Sequence, residues 1–402
     1  MKIIQRVIFQ YEPAAMSAPI QYRLIDDPAT FAKMSHLWNR LLQQTNNDNI
    51  YITWEWLSHW WEVYKEGRSL FIVIAEQDDQ LVGFLPLLRR KITYYGLLKF
   101  RRIEFLSTGE SEEEEVCPTI MNCSMLPGLE QQICEGFVGF LVNDLGDEWD
   151  ELRMTPLVMD DSKTTYFSRS FAMRSNYLCR TEDRGLNAYT DLSNGWDELS
   201  KSFGTKTRKG LRRGRKFIAN TQASGYKFLE NAEDFDYFYD AFVELHGKRW
   251  KNNSIFDNSN FARFQRQVCM DIFAKGGLML SLLTVDNQII SGNLDYCHGD
   301  TVYGYLTAYD PGFKTNLSLG LLGMSYCLEH SSNKSYKKYD WYRVTDAGGY
   351  KKHFLPNIRC MVTFHCQKQT LNSILYAGTR KIIVQLKRLR KRQFKIFSLS
   401  ND

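Results

Sequence analysis

The chain has 402 residues, of which 44% are hydrophobic and 14% aromatic, enough apolar matter for two cores of ordinary size and too much for a disordered chain. Its longest apolar runs fall far short of the roughly 20 residues that span a bilayer, and the opening MKIIQRVIFQYEPAAM has no signal-peptide core, so a cytoplasmic protein is expected. The net charge of +5 is concentrated: Lys201 to Lys216 carries eight Lys/Arg and no acid, and Leu371 to Asp402 carries eight and one acid, which argues for local basic devices rather than a general nucleic-acid surface.

In chain order, apolar periodicity predicts helices over Phe31 to Leu42 and Trp54 to Tyr64. A hairpin follows, LFIVIAEQDDQLVGFLPL from Leu70, then an acidic stretch, STGESEEEEVC from Ser107, a helix over Leu129 to Leu145 and a strand WDELRM from Trp149. The basic run from Lys206 to Lys216 reads as a helix with few apolar residues, either simply solvated or a clamp for anionic groups in which Arg208 and Arg212 take part. Helical patterns return at Phe235 to Trp250 and Phe261 to Phe273, and a second hairpin, LMLSLLTVDNQIISGNLDY, begins at Leu278, 208 residues after the first.

The two hairpins align turn on turn, with Asp78, Asp79 and Gln80 opposite Asp286, Asn287 and Gln288. Both are preceded by two helices and followed by strand, helix and strand. A repeated mixed α/β unit with helices on both faces is therefore expected, divided as residues 1–185, 186–370 and a basic tail 371–402.

Within the second unit a strand over Thr301 to Tyr309 ends at the turn Asp310-Pro311-Gly312, and the loop Lys314 to Ser318 opens a helix. Its unpaired first-turn amides, with Lys314, Asn316, Ser318, Leu319 and Gly320 around them, could hold a pyrophosphate. An ordinary cap by Asn316 or Ser318 is the alternative. Five Glu residues at the same place in the first unit would repel such a group. Asp295 lies on the hairpin's second strand, where it is either a substrate ligand or solvent-facing. Lys248 and Arg249 end a helix from which they could reach an acceptor cleft. Asp346, Asp310 and His353 are candidate bases, with Asp310 better suited to forming a turn. The nine Cys residues are scattered without a C-x-x-C pair, no metal site is expected, and the alternating run RCMVTFHCQ turns His365 and Cys366 to opposite faces.

The ordered motifs WLSHWWEVY (Trp56 to Tyr64), LVGFLPL (Leu81 to Leu87), TRKGLRRGRK (Thr207 to Lys216), HGKRW (His246 to Trp250), AYDPGF (Ala308 to Phe313), SLGLLGM (Ser318 to Met324) and YDWYRVTDAGGYKKHF (Tyr339 to Phe354) give the chain a family resemblance. It resembles the GNAT acyltransferases, and its tandem arrangement is similar to that of the Fem-type peptidyltransferases. Within that set it looks most like the cellulose-biosynthesis-type acetyltransferases with a BioF2-like domain. The resemblance implies two GNAT-like domains and an acyl-CoA, acetyl-CoA or another, bound by the second. It implies an acceptor hydroxyl or amine on a sugar, polysaccharide precursor or cell-envelope metabolite. Tyr350 holds the place of a general acid, with Lys351 beside it toward the substrate. The phosphate loop departs from the usual GNAT pattern, with Gly320 alone in the first turn. Two other readings stay open: a Fem-like transferase using aminoacyl-tRNA, the one nucleic acid then involved, and a catalytically silent scaffold. The basic tail is either a terminal helix packed on the domain by Ile374, Leu375, Ile382 and Ile383 or a segment suited to an anionic membrane surface, which would place the protein at the inner face of a membrane.

Overall fold

The computed structural model describes residues 18–45, 49–251, 253–313, 316–344, 351–354 and 356–380. The first half runs β1 (Gln21–Ile25), α1 (Pro28–Lys33), α2 (Ser35–Gln44), α3 (Trp54–Tyr64), β2 (Arg68–Leu70), β3 (Ile72–Gln77), β4 (Gln80–Leu85), β5 (Leu87–Tyr94), β6 (Leu98–Phe105), β7 (Ser124–Met125), α4 (Glu130–Asn143), β8 (Glu151–Val158), α5 (Ser162–Ala172) and β9 (Tyr177–Asp191). The second half runs α6 (Gly195–Ser202), α7 (Thr205–Asn220), β10 (Gly225–Phe228), α8 (Phe235–Trp250), α9 (Ser259–Ala274), β11 (Leu278–Val285), β12 (Gln288–His298), β13 (Thr301–Tyr309), α10 (Leu319–Asn333), β14 (Lys338–Val344) and β15 (Asn357–Lys368).

The repeat holds at the level of hydrogen-bond register. Ala75 pairs with Gly83, Glu76 with Leu81 and Gln77 with Gln80; Leu283 pairs with Ser291, Thr284 with Ile289 and Val285 with Gln288. Each hairpin carries one register shift, after Ala75 and after Leu283, at the same offset as the sequence repeat. Both turns place their two central residues in the left-handed region, Asp78 and Asp79 at φ 50° and 58° and Asp286 and Asn287 at 50° and 63°. Asp and Asn tolerate that conformation because their short polar side chains bond locally, and the resulting turn matches the twist of the strands it joins.

Helices cover both faces. Because adjacent residues of a strand point to opposite sides, Gly83 lying under Ile133 of α4 and Phe84 stacking on Trp38 of α2 (3.7 Å) put those helices on opposite faces. The second half repeats this: Gly292 lies against Phe242 of α8, and Asn293 against Gly323 of α10.

The two units share one sheet. Eleven strands run in the order β10-β11-β12-β13-β14-β9-β15-β8-β6-β5-β2, beside a four-stranded sheet β1-β3-β4-β7. The long terminal strands cross over: β9, from the first half, pairs with β14 of the second, while β15 pairs with β8 of the first, and the two pair with each other throughout. The expected division between residues 185 and 186 thus falls inside β9. One apolar core continues from half to half, with Trp56 of α3 packed edge-on against Phe264 (5.1 Å) and Tyr296 (5.5 Å).

Candidate active site

The site begins where β13 and β14 part. They pair in parallel through Thr301–Lys338, Val302–Tyr339 and Tyr303–Asp340 and no further. Just beyond, β13 carries a bulge: Gly304 pairs with Asp295 and Leu306 with Leu294, leaving Tyr305 as the extra residue. The strands diverge around a cavity of about 370 Å³ lined by Gly304, Tyr305, Leu306 and Thr307 of β13, Trp341 and Tyr342 of β14, and His246, Arg249, Trp250, Met324 and Lys351. Gly304 is required here because a Cβ would lie 2.8 Å from the Tyr339 ring.

The wall on the β14 side is strained. Tyr342 has φ 70°, an uncommon conformation for an aromatic residue, and its amide donates to Asp340 Oδ1 (2.9 Å). Lys351 secures the bulge by donating from Nζ to the carbonyls of Trp341 and Arg343, the latter at 3.0 Å. An ammonium has three donors, of which these two bonds among the described residues use two. Burial brings the Lys351 amine down to about 8, with Asp340 opposing. Opposite, Arg249 donates to the Thr307 carbonyl and lies over the rings of Trp250 (4.9 Å) and Tyr309 (4.8 Å). His246 Nδ1 bonds Ser254 Oγ at 2.8 Å, and burial first, then Arg249, takes its imidazole down to about 4, leaving it neutral near pH 7.

A second basin of about 820 Å³ lies between α7 and the start of α10, and α10 walls both cavities. Lys206, Lys209 and Arg213 line it together with Asn316, Ser318 and His353. Arg213 donates to the Asn316 carbonyl (3.1 Å). Ser318 stands at the N-cap, and its side chain accepts no bond from the first-turn amides. An added Cβ on Gly320 would meet nothing within 4 Å. Ammonium and guanidinium groups lining a basin at a helix N-terminus suit a pyrophosphate.

Other sequence expectations fall differently. Tyr350, Asp346 and Lys314 lie outside the described residues. His353 bonds Thr207 Oγ1 through Nδ1 (3.0 Å) in the α7 basin and does not line the cavity between the splayed strands. Lys248 pairs with Glu244 (2.7 Å) on the surface, and Trp250 is 48% exposed at the cavity rim. Arg208 and Arg212 face away from the α10 basin into a separate groove of about 590 Å³ with Trp196 and Lys201. Asp295 is neither a cavity residue nor solvent-facing: fully buried, it accepts from Tyr339 Oη (2.9 Å), and burial raises its carboxyl to about 7. Asp310 forms the turn, accepting from the Gly312 amide (2.7 Å).

The residues missed were those whose neighbours are distant in sequence. His246 meets Lys351, which the sequence had indicated by position, only through the splay of β13 and β14, whereas Lys206, Lys209 and Arg213 share one face of α7 by the spacing of about 3.6 residues per turn, a signal that was available.

In the first half the acidic loop folds inward. Glu110 takes a bond from Trp60 Nε1, and burial raises its carboxyl to about 7. Glu114 accepts from Asn258 and Asn260 (both 3.2 Å), and Glu115 reaches Arg184 at 3.8 Å. Among the described residues no group of three His, Cys, Asp or Glu could hold a metal ion, and no helix is long and apolar enough to cross a membrane.

Residues 205–352, which hold both cavities, match the model of a family described as an acetyltransferase (GNAT) domain. No curated protein matches the chain. Among solved structures, FemX covers 89% of this chain and 99% of its own at TM-score 0.56 and 12% identity. L-PGS from Bacillus licheniformis has TM-score 0.51 and 11% identity, covering 88% of this chain and 96% of its own. The C-terminal domain of an Agrobacterium fabrum protein assigned as a lysylphosphatidylglycerol synthetase has TM-score 0.50 and 9% identity, covering 88% and 97%. At such identities the likeness is one of fold: two GNAT-like halves in tandem.

Proposed function

We propose that this chain is an acyltransferase whose second half takes an acyl-CoA as donor. The single observation that carries the reading is the pairing of a splayed-strand cavity with a cationic basin at the start of α10, the helix that walls both. The donor's pyrophosphate would lie against Lys206, Lys209, Arg213 and the first-turn amides of α10, and its thioester would enter between β13 and β14. Lys351 then offers an N–H to the sulfur as the acyl group leaves, and a proton moves from Nζ to the thiolate. Tyr350, its neighbour, is the alternative donor of that proton. With Nδ1–H donating to Ser254 Oγ, neutral His246 would accept at Nε2, which fits it to orient an acceptor hydroxyl or amine. The sugar or cell-envelope acceptor implied by the BioF2-like resemblance would approach from the junction of the halves.

A second reading, transfer from aminoacyl-tRNA as in the Fem-type enzymes, is favoured by the fold likeness to FemX and by the cations on the far side of α7. Incubating purified protein with a mixture of CoA thioesters and aminoacyl-tRNA, then identifying the retained species by mass spectrometry, separates the two. Retention of a CoA thioester supports the first reading; retention of aminoacyl-tRNA alone replaces it with the second; retention of neither leaves the scaffold reading.

A further inference from the structure

The crossing strands β9 and β15 bring two cysteines face to face. Cys179 and Cys366 are direct partners in the antiparallel register, and their sulfurs lie 2.6 Å apart, although 187 residues separate them in the chain. Directly opposed residues of an antiparallel pair have Cβ atoms roughly 4.5 to 5.5 Å apart, closing toward the shorter separation a disulfide uses with a small movement. Both thiols are free, as are the other seven. Cys366 is fully buried, packed beside Leu152 of β8, whereas Cys179 is partly exposed.

We propose that Cys179 and Cys366 form a reversible cross-strand disulfide that staples the two exchanged strands, with Cys179 as the attacking thiol and Cys366 as the resolving one. A hydrogen bond from Cys366 holds the Cys179 thiol below its usual range, favouring the thiolate, while burial holds Cys366 above its own. With a peroxide as oxidant the chemistry balances. The Cys179 thiolate takes one oxygen to give a sulfenic acid, and one water leaves with the proton of the thiol. The Cys366 sulfur then attacks that sulfenic sulfur, forming the S–S bond and expelling a second water. Two thiols lose two electrons and two protons in all, and the peroxide takes both. The bond would join the last strand of each half, so pulling the halves apart would require breaking it.

The test treats the full chain with hydrogen peroxide, alkylates the remaining thiols and maps peptides without reduction. The expected result is a Cys179–Cys366 linked peptide, loss of two titratable thiols, return of both with dithiothreitol, and a thermal midpoint raised by about 2 to 8 °C in the oxidised form. The Cys179→Ser chain should show no linked peptide and no rise; Cys179→Ala serves the same purpose should the serine variant fold poorly. Finding Cys179 and Cys366 both alkylated after oxidation, or linked to other cysteines instead, overturns the proposal.

Discussion

Lys351 carries the most specific consequence at the scale of single residues. If its ammonium protonates the leaving thiolate, turnover should fall as pH rises through about 8, where the amine loses its proton. Lys351→Arg should keep the two bonds to the Trp341 and Arg343 carbonyls and lose that alkaline limb, and Lys351→Met should lower turnover by about 10²- to 10⁴-fold while donor affinity stays near that of the parent. An unchanged pH profile in Lys351→Arg, with Tyr350→Phe inactive, would move the acid to Tyr350. Asp295 gives a stability prediction with a definite sign. Its folded carboxyl, raised to about 7, binds a proton that the unfolded chain has lost above about 4. Its contribution is therefore fully present below pH 4 and lost as pH rises through 7. Asp295→Asn keeps an acceptor for Tyr339 and should flatten that decline, so denaturant midpoints of variant and parent should converge at acid pH, with the variant gaining relative to the parent by pH 8. Of these two residues, the sequence pointed to Lys351 by position but could not say that Asp295 is buried, since strand alternation fixes only which residues share a face.

Helix α7 is the element on which the two donor readings divide. Lys206, Lys209 and Arg213 face the α10 basin, and Arg208 and Arg212 face the groove with Trp196. Charge reversal at Lys209 and Arg213 should weaken binding of acetyl-CoA by about tenfold or more, whereas Arg208→Glu with Arg212→Glu should leave it within about twofold, because exposed cations remote from the phosphates are screened. Titration calorimetry reads both; the opposite ranking would place the anion on the other face. Element limits were largely legible: α3, α8 and β13 occupy the ranges that periodicity predicts, Trp54–Tyr64, Phe235–Trp250 and Thr301–Tyr309. Local patterns determine such segments. That Arg208 and Arg212 lie off the α10 basin was not legible, because a basic run names a helix's charge without naming its buried face, which here is set by Thr207, Leu211, Gly214 and Ile218.

For the whole molecule, the repeat was legible in the hairpins while the strand exchange was not, since pairing partners 150 or more residues away leave no local signature. The exchange has a measurable consequence. A fragment of residues 186–370 begins inside β9 and lacks the strand segment that pairs with residues 361–368 of β15, so it should expose that edge and aggregate or remain unfolded, as circular dichroism and gel filtration would reveal. A monomeric, cooperatively folded fragment would refute the interdependence of the halves. At the other end, Leu371 and Ile374 are 73% and 63% exposed on the helix that leads into the basic tail. We expect the full chain to cosediment with anionic vesicles in a salt-sensitive way and a chain ending at Lys368 not to do so. Equal binding would discard the membrane role. The central claim is that the second half holds an acyl-CoA against the start of α10. Isothermal titration of acetyl-CoA into the parent, Gly320→Glu and Glu113→Gln tests it most directly, because Gly320 has open space beside it and a carboxylate there meets the pyrophosphate as a like charge. Saturable binding by the parent and Glu113→Gln, with none by a folded Gly320→Glu, is the predicted result; equal affinity in all three, or no binding by the parent, would contradict the account.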